Sequence, residues 1–377
     1  MSKNKELKLG VDEFTIILST SSSFEDIFSW SDIAGEIVQE VLKLARLEDI
    51  FGEFLQAESK KQQGYSKCFA PESPMHIQTG YHPLHPNMQV FLKFSAWAWA
   101  FYQSEYVRLF SQPMDIVNFL NLIQSPKYST KFSRIDLTAD FKNYDDFDLN
   151  QLYADCKSEK IIAQNHEGKK SARKLTAIEN QGEVNTIYFG HKGVGTRSFL
   201  RVYNKKIQVE ATKGFQLKES VSSDSWVRCE AVFKGIYAHQ IHDFLLNEVS
   251  TPKELEMFIA SKILNRYAFF DTEKGDVTDF TKDLQEIAKG SNFSNLRSEN
   301  PRDHSLAQKL NHLVTDSGLM SCAYYAYALF GDSGRSEFWS LLQKACSEYK
   351  PSRENTAYLK KHRSLLLKQT LKEHFVL

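Results

Sequence analysis

The sequence has few of the features that mark zinc-ribbon, secreted or membrane proteins. Its five cysteines form no CxxC pair, which argues against a zinc ribbon or a disulfide framework. The longest aromatic-apolar run, at residues 94–102, is far too short to span a bilayer. The N-terminus, MSKNKELKLGVDEF, has no apolar stretch after its lysines, so we expect no signal peptide. These absences predict a cytoplasmic protein with reduced thiols and no membrane partner.

The chain also lacks an excess of charge of either sign. Its 377 residues include 47 Lys and Arg and 47 Asp and Glu, which gives a formal net charge of +0. This balance excludes a histone-like protein that binds nucleic acid through bulk charge, but it allows a local basic channel. Hydrophobic residues make up 42% of the chain, enough to bury a large core, and the length predicts two domains.

Hydrophobic periodicity divides the chain into a β-rich part and a helical part. Strands are predicted at residues 8–19, 131–141, 185–192, 197–206 and 225–235, with short strands between 64 and 101 that include the run 88–99. Helices are predicted at 31–54 and about 114–123, and the pattern stays helical after about residue 250. We therefore expect an α+β fold, with an antiparallel sheet domain and flanking helices over residues 1–250. An all-helical domain over residues 251–377 follows.

Three of these strands carry charge on one face, because side chains two apart in a strand point the same way. The charged faces hold Arg134, Asp136 and Asp140; Arg201, Tyr203 and Lys205; and Arg228, Glu230 and Lys234. In most antiparallel sheets such a face is simply solvated. If the three strands are neighbours, carboxylates that suit a hard divalent cation meet cations that suit a phosphodiester. A tyrosine beside them is a candidate nucleophile toward phosphorus.

The spacing of these residues resembles the Rep_trans family, which comprises plasmid rolling-circle replication initiators and related relaxases of integrative and conjugative elements. Three ordered motifs carry the resemblance: R-x-D-x-x-x-D at 134–140, YFG then R-S-x-x-R-x-Y-x-K at 197–205, and W-x-R-x-E-x-x-x-K at 226–234. Residues 317–339 are similar to a helical segment near the C-terminus of these proteins. The loop HKGVGT, at 191–196, departs from the family because it is longer than the usual turn.

The resemblance implies a DNA nickase and strand transferase that initiates rolling-circle replication of a plasmid. Tyr203 is then the nucleophile, joined to the 5′ phosphate, and Lys205 is expected to lower its pKa. The implied catalytic residues are Tyr203, Lys205 and Arg201. The implied metal ligands are Asp136, Glu230 and, as a third, Asp140. The implied DNA or phosphate contacts are Arg134, Arg228, Lys234 and Arg197, with Lys169 and Lys170 in the basic loop 157–174.

The same resemblance implies a cofactor and partners. A carboxylate site favours Mg²⁺ or Mn²⁺ over Zn²⁺. The expected partners are single-stranded or hairpin origin DNA, a second copy in a homodimer, and a helicase, since the sequence has no GxxxxGK[ST] phosphate loop. The helical domain is expected to supply DNA specificity or oligomerisation. Two alternatives stay open: a relaxase that nicks a transfer origin, and a non-catalytic DNA-binding protein with a decayed nuclease sheet, in which Tyr203 is an ordinary cross-strand aromatic.

Overall fold

The computed structural model describes most of the chain. It covers residues 4–21, 27–57, 64–144, 147–172, 174–193, 195–212, 216–297 and 318–351, with isolated positions at 62, 313–314, 355–356, 359–360, 363 and 367. The described strands are β1 (Glu6–Thr20), β2 (Leu55–Gln56), β3 (Lys67–Ala70), β4 (Ile77–Tyr81), β5 (Val90–Phe94), β6 (Tyr128–Lys142), β7 (Ile161–Gln164), β8 (Leu175–Asn180), β9 (Glu183–Phe189), β10 (Ser198–Asn204), β11 (Trp226–Lys234), β12 (Ala268–Asp271) and β13 (Asp276–Val277).

Helices connect these strands and cover their apolar faces. They are α1 (Ile27–Leu44), α2 (Leu47–Phe51), α3 (Ala96–Phe110), α4 (Ile116–Leu122), α5 (Leu149–Lys157), α6 (Lys205–Thr212), α7 (Leu217–Ser222), α8 (Ile236–Glu248), α9 (Pro252–Arg266), α10 (Asp279–Ala288) and α11 (Leu319–Glu348), with a 3-10 turn at Pro86–Met88. The helical dihedrals of α11 are interrupted at Gly331, where φ is +67°. None of the described helices combines the length and apolar character needed to cross a lipid bilayer.

Ten strands form one antiparallel sheet in the order β2-β3-β4-β5-β1-β6-β11-β10-β9-β8. The other three form a small sheet in the order β13-β12-β7. The long strand β6 pairs with β1 on one side and with β11 on the other, and β11 pairs in turn with β10. The α+β class and the antiparallel sheet predicted from the sequence are thereby confirmed.

Period-two alternation on β6 places one row of its side chains in the hydrophobic core. Ile135, Leu137, Ala139 and Phe141 are fully buried. Helix α8 packs against β6 and β11, and α9 packs against β1 and β6. The apolar row of β6 therefore faces helices, which leaves the other row of β6 for charged residues.

Two stretches fold differently from the sequence prediction. The run 88–99 was expected to be one strand, but β5 stops at Phe94 and α3 starts at Ala96. The Ser95 side chain accepts a hydrogen bond from the Ala98 amide and so caps the helix, which outweighs the alternation of Trp and Ala. Residues 268–271 were expected to continue a helix, but they form β12, which pairs with β7 across a long sequence separation.

The chain forms two compact units, residues 1–297 and 298–377. The sequence placed its boundary after residue 250, whereas α9, β12 and α10 belong to the first unit. Their apolar side chains complete its core, as the burial of Phe258, Ile259 and Ile263 shows. In the second unit the described residues are mainly those of α11. The helix predicted over 304–314 and the tail over 356–371 lie almost wholly outside the described residues.

We expect a chain ending at residue 297 to unfold in one cooperative transition, and a chain ending at residue 250 to lose that transition. The shorter chain lacks Phe258, Ile259 and Ile263, whose burial of 99–100% makes them part of the core against β1 and β6. Urea unfolding followed by tryptophan fluorescence measures both. A cooperative transition retained by the shorter chain would contradict this division of the core.

Candidate functional site

Strands β6, β11 and β10 lie side by side and direct their charged residues to one face of the sheet. In an antiparallel pair, directly opposite residues share a face. Asp140 is opposite Arg228, which is opposite Tyr203, and Glu230 is opposite Arg201. We call this surface the polar face; its members are Arg134, Asp136, Asp140, Arg201, Tyr203, Arg228 and Glu230. The three charged strands are therefore neighbours in the sheet, as the sequence prediction required.

Three carboxylates of the polar face are almost wholly buried, and each pairs with an arginine. The pairs are Asp136–Arg134, Asp140–Arg228 and Glu230–Arg201, with N–O distances of 2.5–2.9 Å. The Trp226 indole also donates to Asp140, at 2.9 Å. A carboxylate removed from water requires such partners, since an unpaired buried charge is strongly unfavourable. The pairs therefore fix the side chains of the polar face in place.

Tyr203 is tied into one of these pairs. Its hydroxyl donates to Oε2 of Glu230 at 3.2 Å, and its side chain is 5% exposed. The Arg201 guanidinium carbon lies 4.8 Å from the centre of its ring. Burial raises the pKa of Tyr203 well above its ordinary value, although the nearby Arg228 opposes the change and Glu230 adds to it. The phenol is thus neutral and hydrogen-bonded to its neighbouring carboxylate.

Lys205 occupies a different position from the one that strand alternation predicted. Strand β10 ends at Asn204, and Lys205 is the first residue of α6, where its Nζ donates to Gln208 Oε1 at 2.8 Å. The Nζ atom lies 6.0 Å from the centre of the Tyr203 ring. Burial, helped by Arg228, lowers the pKa of Lys205 to about 8. The pKa of Tyr203 is raised overall because burial outweighs the neighbouring cations, and Lys205 is not among the main causes of the shift.

Two acidic residues of β1 that no sequence motif identified join the polar face. Val11 pairs with Leu137 and Phe14 with Ile135, so two residues of β1 stand opposite the single residue Asp136. At this β-bulge, which inserts one extra residue into β1, both side chains contact arginines of the polar face. Asp12 accepts from Arg228 at 2.7 Å, and Glu13 accepts from Arg134 at 2.7 Å. Adjacent Asp and Glu inside a predicted strand were the available signal, since they break its alternation.

Two cavities open on the polar face. One, of about 260 Å³, is lined by Arg134, Tyr188, Lys192, Phe199, Arg201, Glu230 and Lys234. The other, of about 410 Å³, is lined by residues of β1, β6, β11, α3 and the α7 region, among them Asp12, Asp140 and Arg228. Tyr203 bonds to Glu230 of the smaller cavity and stands opposite Arg228 of the larger one. The candidate nucleophile thus adjoins both.

The remaining predicted DNA contacts are divided between this site and another region. Lys234 stands opposite Arg134 and lines the smaller cavity. Arg197 lies beside it, since its carbonyl accepts from the Lys234 amide at 2.8 Å. Lys169 and Lys170 follow β7, and they pair with Glu167 and Glu159 instead of with the polar face.

The carboxylates of the polar face are too far apart for all three to bind one divalent cation. Within the described residues, no group of three His, Cys, Asp or Glu side chains is placed to hold a metal. Four residues of strand span about 13 Å, too far for Asp136 and Asp140 to reach one ion. Burial raises the pKa of Asp136 well above its usual value; Arg134 opposes this change, and Glu230 and Glu13 add to it. Two carboxylates on neighbouring strands suit a cation that takes one or two carboxylates and keeps its waters.

Asp140 has the opposite electrostatic character. Burial alone would raise its pKa, but Arg228 and Trp226 hold the pKa of Asp140 below its ordinary value. Its negative charge is therefore already balanced by its protein partners. The structure brings Asp136 and Glu230 to neighbouring strands and keeps Asp140 with Arg228.

Comparison with known proteins agrees with this geometry. Residues 130–314 match the family model Rep_trans, described as replication initiation factor. The fold is similar to that of the rolling circle replication initiator protein from Geobacillus stearothermophilus, with a TM-score of 0.53 and 18% identity, over 75% of this chain and 97% of that one. None of the curated proteins matches this chain. The three sequence motifs lie within the matched residues, so the resemblance drawn from them is confirmed.

Substituting Asp140 with Asn is expected to lower the free energy of unfolding by about 3 kcal/mol, because it leaves a buried arginine short of charge compensation. Arg228 would retain only Asp12 as its carboxylate partner among the described residues. Urea denaturation monitored by circular dichroism measures the loss. The matched control is Glu105→Ala, which removes an exposed ion pair with Arg108 and is expected to change stability little. Equal losses in the two variants would contradict a buried network.

Proposed function

We propose that this chain, a member of the Rep_trans family of replication initiation factors, nicks one strand of origin DNA and becomes joined to it through Tyr203. The observation that carries this proposal is the hydrogen bond from the Tyr203 hydroxyl to Glu230, among arginines of two neighbouring strands. A nucleophile, a proton acceptor and phosphate-binding cations are the groups that transesterification at phosphorus needs. The family description as replication initiation factor favours an origin of replication over a transfer origin.

In the proposed reaction, Tyr203 Oη attacks the scissile phosphorus and its proton passes to Glu230. A bond forms from phosphorus to the phenolic oxygen, and the bond to the 3′ oxygen breaks. The 3′ oxygen takes a proton from water and becomes the free 3′-OH that primes synthesis, while the 5′ phosphate stays on the tyrosine. Attack by a 3′-OH on the phosphotyrosyl bond reverses these changes and rejoins the strand. Since Tyr203 is 5% exposed, the incoming strand must first open the site.

The cations of the polar face are proposed to hold the phosphate groups. Arg201 and Arg228 are nearest the tyrosine, as its ring contact and its register partner respectively. Each now binds a carboxylate, so a phosphate oxygen must share or replace an existing partner. A guanidinium presents several donors, which makes sharing between a carboxylate and a phosphate possible. Arg134, Lys234, Arg197 and Lys205 extend the cationic surface around this centre.

Asp136 and Glu230 are the residues proposed to hold Mg²⁺ or Mn²⁺. They lie on adjacent strands; burial is the main cause of the raised pKa of Asp136, and the carboxylates Glu230 and Glu13 add to it. The cation would neutralise charge that develops on the phosphate oxygens. Asp140 is proposed to position Arg228, to which it makes two hydrogen bonds, and not to ligate the ion.

Two macromolecular partners follow from the same function. Strand displacement needs a helicase, and the sequence holds no phosphate loop of its own. A homodimer is supported by α11, where several large apolar side chains are exposed. These side chains are Tyr324, Tyr325, Leu329, Phe330 and Leu341. The helical segment is thus proposed as the part through which two copies associate.

The proposed chemistry predicts a covalent protein–DNA adduct. Single-stranded oligonucleotides that tile the DNA surrounding the gene are mixed with the protein and Mn²⁺, and the adduct is detected on a denaturing gel. Wild type is expected to form the adduct on one tile, EDTA to prevent it, and Tyr203→Phe to abolish it. The matched control Tyr153→Phe changes a tyrosine of α5 and is expected to leave the adduct unchanged.

Two results would overturn parts of this proposal. An adduct formed by Tyr203→Phe would show that another residue is the nucleophile. No adduct on any tile, together with retained DNA binding, would favour the non-catalytic DNA-binding alternative.

The role of Lys205 predicts a pH dependence. With its pKa lowered to about 8, Lys205 is charged below that pH and neutral above it, so its hold on phosphate weakens as the pH rises from 7 to 9. Lys205→Arg keeps its charge over this range. The ratio of its nicking rate to that of wild type is therefore expected to rise about tenfold between pH 7 and pH 9. The reason is that the charged fraction of wild-type Lys205 falls by a factor of ten for each pH unit above its pKa. Both nicking rates depend on the ionisation of Tyr203 in the same way, so that dependence cancels in the ratio. The same ratio for Lys253→Arg, which changes an exposed residue of α9, is expected to stay constant; a flat ratio for Lys205→Arg would refute the role.

A further inference from the structure

The smaller cavity of the polar face has an apolar floor, formed by side chains that are at least nine-tenths buried. Tyr188, Phe199 and Val232 form a hydrophobic cluster that is separate from the main core. Phe199 and Val232 are opposite each other in register, on the same face as Arg201 and Glu230. Two aromatic rings of this cluster line the cavity. An aromatic surface among charged residues is suited to a flat ring, and nucleobases stack on such rings whatever their sequence.

Cations surround this floor and are less occupied than the rest of the polar face. Lys192 Nζ lies 3.4 Å from the centre of the Tyr188 ring, and Lys234 Nζ lies 5.5 Å from that of Phe199. Within the described part of the chain, neither lysine forms an ion pair, whereas the arginines of the polar face all do. Arg201 Nε is buried without a hydrogen-bond partner. The two lysines are therefore available to an anion, whereas Arg201 Nε lacks a partner but is shielded from solvent.

The position of the cavity relates it to the nucleophile. Glu230 lines the cavity and accepts the hydrogen bond of the Tyr203 hydroxyl, so the cavity begins one side chain away from the reacting atom. Arg201, also in its wall, contacts the Tyr203 ring. A phosphate at Tyr203 would therefore have its neighbouring nucleotide within reach of the cavity.

We propose that this cavity is a subsite for one unpaired nucleotide next to the scissile phosphate. Its base stacks on Tyr188 and Phe199, and its phosphate is held by Lys192, Lys234 and Arg201. The volume of about 260 Å³ is below the range of pockets for larger organic ligands, which suits one nucleotide and leaves no room for a base pair. The placement beside a scissile phosphate rests on the proposed function; the binding of a nucleotide does not.

The subsite gives a role to the loop at 191–196, in which the sequence departs from its family. Lys192 is the residue that this loop contributes to the cavity. Its ammonium lies over one face of the Tyr188 ring, so a base that stacks on that face must displace it. An unpaired base is selected because stacking requires an exposed ring face, which a duplex does not offer.

Binding of small probes to the full chain without metal tests the subsite apart from nicking. Ligand-observed NMR titrations would compare thymidine 5′-monophosphate, 2-deoxyribose 5-phosphate and inorganic phosphate. We expect the nucleotide to bind at least about tenfold more tightly than the two probes without a base, as one stacked base contributes that much. Tyr153→Phe, which changes a tyrosine of α5 that does not line the cavity, is expected to bind all three as wild type does.

Variants separate the base contact from the phosphate contact. Tyr188→Ala is expected to remove the preference for the nucleotide, and Tyr188→Phe to keep it. Lys192→Gln, which removes an exposed charge, is expected to weaken the binding of the nucleotide and of inorganic phosphate alike, by several-fold. Lys253→Gln, which removes an exposed charge on α9, is expected to change neither.

The outcomes distinguish this proposal from the nicking function. Equal affinity for the nucleotide and for inorganic phosphate would show a plain anion site and overturn the subsite, even if Tyr203 forms its adduct. No binding of any probe would overturn it as well. Nucleotide preference that depends on Tyr188 would support the subsite, even if no adduct with Tyr203 is found, in which case the nicking function alone would fall.

Discussion

The burial of three carboxylates on one face of the sheet is the constraint on which the site depends. Asp136, Asp140 and Glu230 are between 95% and 99% buried, so each requires a cation in direct contact. The cations of Asp140 and Glu230 lie at opposite register positions on adjacent strands, and that of Asp136 lies two residues before it on β6. The bulge of β1 supplies two further carboxylates to the arginines. The result is a set of charges held by one another, in which no member moves freely. A rigid sheet thus presents cations at fixed positions before any DNA arrives.

The ion pairs of the polar face also determine how a phosphate group can bind there. A phosphate that approaches Arg201 or Arg228 meets guanidinium groups already bound to Glu230 or Asp140. A divalent cation at Asp136 and Glu230 would compensate these carboxylates and leave the arginines freer to contact phosphate. Lys192 and Lys234 differ, since they pair with no carboxylate within the described residues and are ready for an anion. We therefore expect a DNA strand to contact Lys192 and Lys234 first and the arginines afterwards.

Period-two alternation allowed the sequence to predict the polar face, since it depends only on residue order within strands. Motif spacing predicted Tyr203, Arg201 and Glu230 together, and the structure places all three in contact. Asp12 and Glu13 were missed because a β-bulge depends on the pairing of β1 with β6, which no local pattern encodes. The helix at Ala96 was missed because one capping hydroxyl decided it. The pKa of Tyr203 was misjudged because burial is a tertiary property.

Burial also links access to the nucleophile with its activation. In the closed site, desolvation is the largest cause of the raised pKa of Tyr203, while Arg228 and Arg201 act in the opposite direction. On the proposed function, a strand that opens the site would bring water to the hydroxyl and reduce this desolvation. The phosphate that it brings is an anion, which acts in the opposite direction and offsets part of the effect of the arginines. Without DNA, the phenol stays neutral and bound to Glu230.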